Sequence, residues 1–198
     1  MDLLFADLNP VRLKGIKPMP KVGGYKYGNV RWDVLGRLLH VFKNAKELDE
    51  GWYWRARSEC EVIARETGKH INVVAAVVSC LSVGCEWERN LSDAAHLCLW
   101  ENEDAGYGTY RKQVKKAIKC LKVEDGDEDA LGKIIAPNLK KSGMKTFSFF
   151  HLILRPWSSK FVVIDRHMLM AMLGDKEYKL TAKRYRDLDI TLKHAAGS

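Results

Sequence analysis

Apolar positions along this chain recur with a helical spacing almost from end to end. Val34, Leu35, Leu38, Leu39 and Phe42 fall on one face after Asn29, which predicts an amphipathic helix. A second helix is expected from about Asp49 or Glu50 to Thr67, where Gly68 stops it, with Trp52, Tyr53 and Trp54 read as core and lobe interface rather than a ligand cage. Val73 to Leu81 is apolar all round, the mark of a buried central helix, and Asn72 is the expected cap. Its β-branched residues would also suit a strand, but alternation is absent and no partner run suggests itself. A turn over Ser82 to Trp87 leads into a helix through Cys98 to Trp100. From Tyr110 to Leu121, Val114, Ala117, Ile118 and Leu121 face inward while Lys112, Lys115, Lys116 and Lys119 face outward. A short helix over Leu131 to Leu139, interrupted by Pro137, follows.

The next stretch concentrates the chemistry. Ser142-Gly143-Met144-Lys145-Thr146 reads as a glycine turn opening an apolar helix that ends near Leu154. A loop with Arg155, Pro156, Ser158 and Ser159 then leads to the apolar run that delivers Asp165. Helices from about Met168 to Leu173 and across Leu180 to His194 complete an all-α reading. Residues 1–28 are set apart as a basic arm broken by Pro10, Pro18, Pro20 and several glycines, leaving 29–198 as the helical domain. Arg12, Lys14, Lys17, Lys21 and Lys26, interleaved with Tyr25 and Tyr27, suit either an arm along a nucleic-acid backbone or a solvated leader wrapped on the domain.

Composition narrows the classes. Hydrophobic content of 46% over 198 residues excludes a disordered chain. A formal net charge of +8 points to an anionic partner, nucleic acid first and a membrane surface second. The five cysteines form no CxxC pair, so neither a structural zinc site nor a cysteine-bound iron–sulfur cluster has its ligands, and reduced thiols are expected. The acidic loop Glu124 to Asp129 lacks the alternating ligands of a calcium loop, so no metal is assigned there or elsewhere. No apolar run approaches the roughly 20 residues of a membrane span. The first residues lack the features of a signal peptide. The expectation is an intracellular protein, cytoplasmic or nucleoid-associated, monomeric and off the membrane.

The order of elements resembles the helix–hairpin–helix DNA glycosylase superfamily, most closely its endonuclease III-like branch, over about Asn72 to Gly174. Lys140-Lys141-Ser142-Gly143-Met144-Lys145-Thr146-Phe147 occupies the place of that family's glycine hairpin. Ile164-Asp165-Arg166-His167 matches its Val-Asp-Thr-His, and the helix with Tyr110 and Lys112 corresponds in order to the family segment that starts Tyr-x-x-Lys. Three features depart from the pattern. Lys141 replaces the first hairpin glycine, the loop before Asp165 has no glycine, and the C-terminal cysteine cluster is absent.

The resemblance implies an all-α, two-lobed bundle that binds DNA, duplex or single-stranded, without a cofactor or iron–sulfur cluster. It implies excision of a damaged or modified base by base flipping, with or without an AP-lyase step. Asp165 would be the catalytic carboxylate and Lys145 the attacking amine. Lys141, Ser142, Gly143, Met144, Thr146, Lys112, Arg166 and the ring of Trp87 would contact DNA. Each residue also has a plainer reading: Asp165 as a helix cap, Lys145 as a phosphate-holding lysine, Trp87 as core, and Glu86 and Glu88 as acids at a helix N-terminus. His151 reads as core and His167 as a structural hydrogen-bonding histidine. Two rival functions stay open, a phage-type enzyme that remodels modified DNA bases on the same scaffold and a non-catalytic nucleic-acid-binding protein.

Overall fold

The apolar run that dominates the sequence becomes the axis around which one half of the molecule packs. A computed structural model of the chain describes residues 26, 27, 30, 31, 34, 36–38, 40, 51–174 and 179–195. The elements are β1 (Lys26–Tyr27), β2 (Val30–Arg31), α1 (Trp52–Thr67), α2 (Ile71–Leu81) and α3 (Trp87–Trp100). They continue as α4 (Arg111–Leu121), α5 (Glu128–Ile135), α6 (Met144–Leu154), α7 (Arg166–Leu173) and α8 (Ala182–Ala195). The expected all-α character is therefore observed, with one two-residue antiparallel pair, Lys26 opposite Arg31 and Tyr27 opposite Val30. No helix among the described residues is long and apolar enough to cross a membrane.

The chain forms two compact units, one over Trp54–Trp157 and the other from the two flanking segments, up to Tyr53 and from Ser158. In the first, α2 is buried without a break from Val73 to Leu81 and packs on α3, α4, α5 and α6. Four valines in that helix cost roughly 0.5 kcal/mol each in propensity against alanine. Burying each one returns about 1.5–3 kcal/mol, so packing decides helix over strand. Phe150, Leu97, Leu131, Ile135 and Ile153 fill the core around it.

In the second unit α8 packs on β2, and Val34, Leu38, Ile164, Met168, Leu169, Met172 and Leu188 are buried. Tyr185 on α8 locks the approach to α7: its hydroxyl donates to the Val162 carbonyl at 2.6 Å and accepts from the Ile164 N–H at 3.2 Å. Arg37 closes the other end of α7, its Nε donating to the Ala171 carbonyl at 2.9 Å. A cation on the last carbonyls of a helix satisfies orphan acceptors and opposes the dipole.

Local corrections concern caps and ends. His70, not Asn72, caps α2, its Nδ1 accepting from the Asn72 N–H at 3.2 Å. Asn72 already lies in the helix and donates from Nδ2 to the Gly126 carbonyl at 2.9 Å. The short helix α5 starts earlier than expected because Asp127 caps it, Oδ1 accepting from Asp129 N at 2.9 Å and Ala130 N at 3.2 Å. That helix ends before Pro137, which it never contains. Of the expected Trp52–Tyr53–Trp54 core cluster only Tyr53 is buried; Trp54 is 51% exposed and lies against Trp157, ring centroids 5.6 Å apart. The expected starts at Asp49 or Glu50, and residues 1–25 of the basic arm, lie outside the described residues.

Candidate nucleic-acid interface

Helices α5 and α6 form an antiparallel pair joined by residues 136–143, and three contacts along the pair hold it. At the closed end Gly143 precedes α6 with φ +89°, a conformation that L side chains rarely adopt. A Cβ on Gly143 would lie 2.8 Å from the Cβ of Ala136, so close approach of the two strands of the loop demands glycine as well. Midway, Gly132 of α5 faces the ring of Phe147, where a Cβ would meet Cε2 at 3.1 Å. At the open end Glu128 accepts from Arg155 Nη1 at 2.6 Å and Nη2 at 2.5 Å, and its Oε1 lies 2.9 Å from His151 Nδ1.

The loop itself turns without further glycines. The Asn138 carbonyl accepts from the Lys141 N–H at 2.9 Å and the Ser142 N–H at 3.0 Å. Glu101 is the one non-glycine residue with positive φ among the described residues, so Lys141 sits where a glycine is not required. Lys140, Lys141 and Ser142 are exposed, while Met144 and Lys145 are half-buried and Thr146 is buried on the first turn of α6. That turn carries unpaired backbone N–H groups, the usual donors to an anion at a helix start. Lys116 of α4 reaches the loop's other shoulder, Nζ donating to the Ile135 carbonyl at 2.7 Å.

Asp165 stands at the N-cap of α7, half-buried. One carboxylate oxygen, Oδ1, accepts from both the His167 and Met168 N–H groups at 2.9 Å. Arg166 is the first residue of α7. The capping role weighed for Asp165 is thus present.

Trp87 opens α3, half-buried, with its indole N–H donating to Glu59 Oε2 at 3.0 Å and its ring meeting Phe149 edge-on at 6.2 Å. Glu86 is the exposed N-cap of that helix and makes no side-chain cap bond; Glu88 lies exposed in its first turn. Further along α3, the buried carboxylate of Asp93 ties two neighbours. It accepts from Arg89 Nε at 2.7 Å and from the Gly108 N–H at 2.7 Å, fixing the loop that leads into α4. Lys112 is exposed on α4, its ammonium 5.9 Å from the centre of the Tyr110 ring.

Electrostatics single out the open end of the helix pair. Hydrogen bonds from Arg155 hold the Glu128 carboxyl below its ordinary range, and the same contact raises the guanidinium. Burial lowers His151, only partly offset by the Glu128 carboxylate 2.9 Å from its Nδ1. Sequence reading placed His151 in the core but missed the acid that answers it. The signal was available: His151 and the C-cap Arg155 are spaced i, i+4 around the apolar Leu152-Ile153-Leu154, an arrangement that calls for a carboxylate opposite. Asp93 and the exposed ring of Tyr110 were also missed, the first because one acid in an amphipathic helix reads as surface.

Residues 26–197 match the model of a Family of unknown function (DUF7178). That span is most of the chain, which therefore belongs to this family. No curated protein matches it. No solved structure matches it either.

Proposed function

We propose that this DUF7178 member is a DNA glycosylase, with or without an AP-lyase step, acting on a damaged or modified base that is flipped out of the helix. The observation that carries the reading is the α5–α6 helix pair and the glycine loop that joins it. Its Gly143 is fixed by both φ and close packing, its first turn offers free N–H groups, and Lys145 is half-buried one residue inside it. Such a turn holds a phosphate and positions a strand without reading its sequence. The net charge of +8 favours the same polyanion. The division into one unit from the middle of the chain and one from both flanks suits the two-lobed glycosylase architecture.

In the proposed hydrolytic route the C1′–N bond breaks and the base leaves with the bonding electrons, taking a proton from solvent. Positive charge builds on the sugar, and the carboxylate of Asp165 stabilises it. Water adds to C1′ and gives its proton to Asp165. In the lyase route the amine of Lys145 replaces water, and ring opening leaves a Schiff base between Nζ and C1′. Base flipping opens a gap that the ring of Trp87, steadied by Glu59, lies ready to border. Lys141 and Lys112 contribute backbone charge, as does Arg166.

The test incubates the protein with duplexes that each carry one modified base. Abasic sites or strand breaks in the products support excision. Altered nucleosides on an intact strand transfer the assignment to base remodelling, and binding without product on the whole panel to a non-catalytic module.

A further inference from the structure

The outer face of α4 carries a row of exposed lysines that the hairpin alone does not use. At 100° per residue, Lys112, Lys115, Lys119 and Lys122 fall within an arc of about 80° and span about 15 Å of helix. All four are exposed. Lys115 shares Glu103, at 3.9 Å, with Arg111, at 3.5 Å. Lys112, Lys119 and Lys122 pair with no acid among the described residues. Like charges at i, i+3 and i, i+4 destabilise a helix, so a row of them left uncompensated favours an anionic partner that the chain itself does not supply.

An aromatic ring stands at the head of this row. Tyr110 is 62% exposed and is the N-cap of α4, outside the core it would otherwise join. It rests on the preceding turn, where a Cβ on Gly84 would lie 3.6 Å from its Cε2, and Thr109 pins the same segment by donating to the Val83 carbonyl at 2.7 Å. The ring therefore rests on the preceding turn and stays largely exposed, with the Lys112 ammonium 5.9 Å from its centre. At the foot of the row the charge reverses at Glu124 and Asp125, which ends the track. Beside it, Lys116 touches the shoulder of the hairpin at Ile135, so both features share one edge of the same unit.

We infer that Tyr110 and the lysine face of α4 form a binding track for single-stranded DNA that continues from the hairpin. The inference rests on the proposed DNA-directed function. Lysines at this spacing follow a phosphodiester backbone, and an open ring contributes only where an unpaired base offers its face. That second requirement selects a single strand over an intact duplex.

Fluorescence anisotropy with a labelled oligothymidylate tests it, comparing the wild type with a variant in which Lys112, Lys115, Lys119 and Lys122 are all glutamine. Glutamine keeps helix propensity, and melting followed by circular dichroism checks that the variant folds. Between about 50 and about 200 mM salt, the slope of log affinity against log salt should fall by about 3, at about 0.7 per phosphate lost. Tyr110→Ala should weaken binding about tenfold with the slope unchanged, and Tyr110→Trp should restore it. A four-lysine variant that folds and keeps wild-type affinity and slope overturns the track, as does a wild type that ignores the strand at low salt. Excision measured on the same proteins keeps the two claims apart. Excision with an unaltered slope in the variant sinks the track alone, whereas the slope change without any excision supports the track and sinks the glycosylase reading alone.

Discussion

Glu128 and Arg155 face each other across the open end of the α5–α6 pair, joined by two hydrogen bonds of 2.6 and 2.5 Å. This bidentate contact lies at the far end of the pair from Gly143, so a charge pair and a glycine contact brace the two ends of the same hairpin. Paired guanidinium–carboxylate geometry adds directional specificity to the charge attraction.

Acid should loosen this brace in two stages. His151 is held below its ordinary 6.5 by burial, so the unfolded chain takes the proton first and stability falls as pH drops through and below about 6.5. Glu128 is held below its ordinary 4.5 by Arg155, so a further loss begins below about 4.5 and is complete once the folded group protonates. Glu128→Gln should cost about 1–2 kcal/mol at neutral pH, discounted because the Arg155 side chain is 42% exposed. Urea unfolding of both proteins across pH checks this. The gap between them should shrink below about 4.5, and a gap constant down to pH 3 would refute the ionic origin.

Gly143→Ala meets two penalties at once, the positive φ and the contact with Ala136. A left-handed alanine costs roughly 1–2 kcal/mol, and the contact adds to it. Unfolding by denaturant should show a loss of about 2 kcal/mol or more. A loss under about 0.5 kcal/mol would mean the loop relaxes freely.

The thiols make a separate check on packing. Cys60, Cys80, Cys98 and Cys120 are buried, and burial raises Cys60 and pushes Cys98 up to about 12. Cys85 alone is half-buried, its thiol also raised by burial. A thiol reagent at neutral pH should modify Cys85 first and the rest only on unfolding. Rapid native modification of Cys60 or Cys98 would contradict the burial of these two thiols.

Periodicity made most helices legible, because burial of stripes such as Val114, Ala117 and Leu121 is what forms them. It could not place the caps. His70 and Asp127 cap through geometry that depends on where the chain enters the unit, and Asn72 looked the better cap because its alternative partner, the Gly126 carbonyl, lies 54 residues away. The same limit applied at the candidate site. Gly143 marked the turn from sequence alone, whereas the loop's tolerance of Lys141 became visible only with the double use of the Asn138 carbonyl. Glu128, Asp93 and Tyr110 gain their roles from partners far away in the chain or from the side of a helix left uncovered.

Base excision by the Asp165→Asn protein is the most direct test of the central claim. Asparagine caps helices about as well as aspartate, so the substitution keeps the bonds to the His167 and Met168 N–H groups and removes only the charge. The account predicts a melting temperature close to wild type with excision reduced at least a hundredfold on the duplex that the wild type cleaves, from the order of magnitude of a lost charge-stabilising or general-base group. Borohydride trapping should also disappear with Lys145→Ala if the lyase route operates. Wild-type excision by a folded Asp165→Asn protein would contradict the account and leave Asp165 as a helix cap.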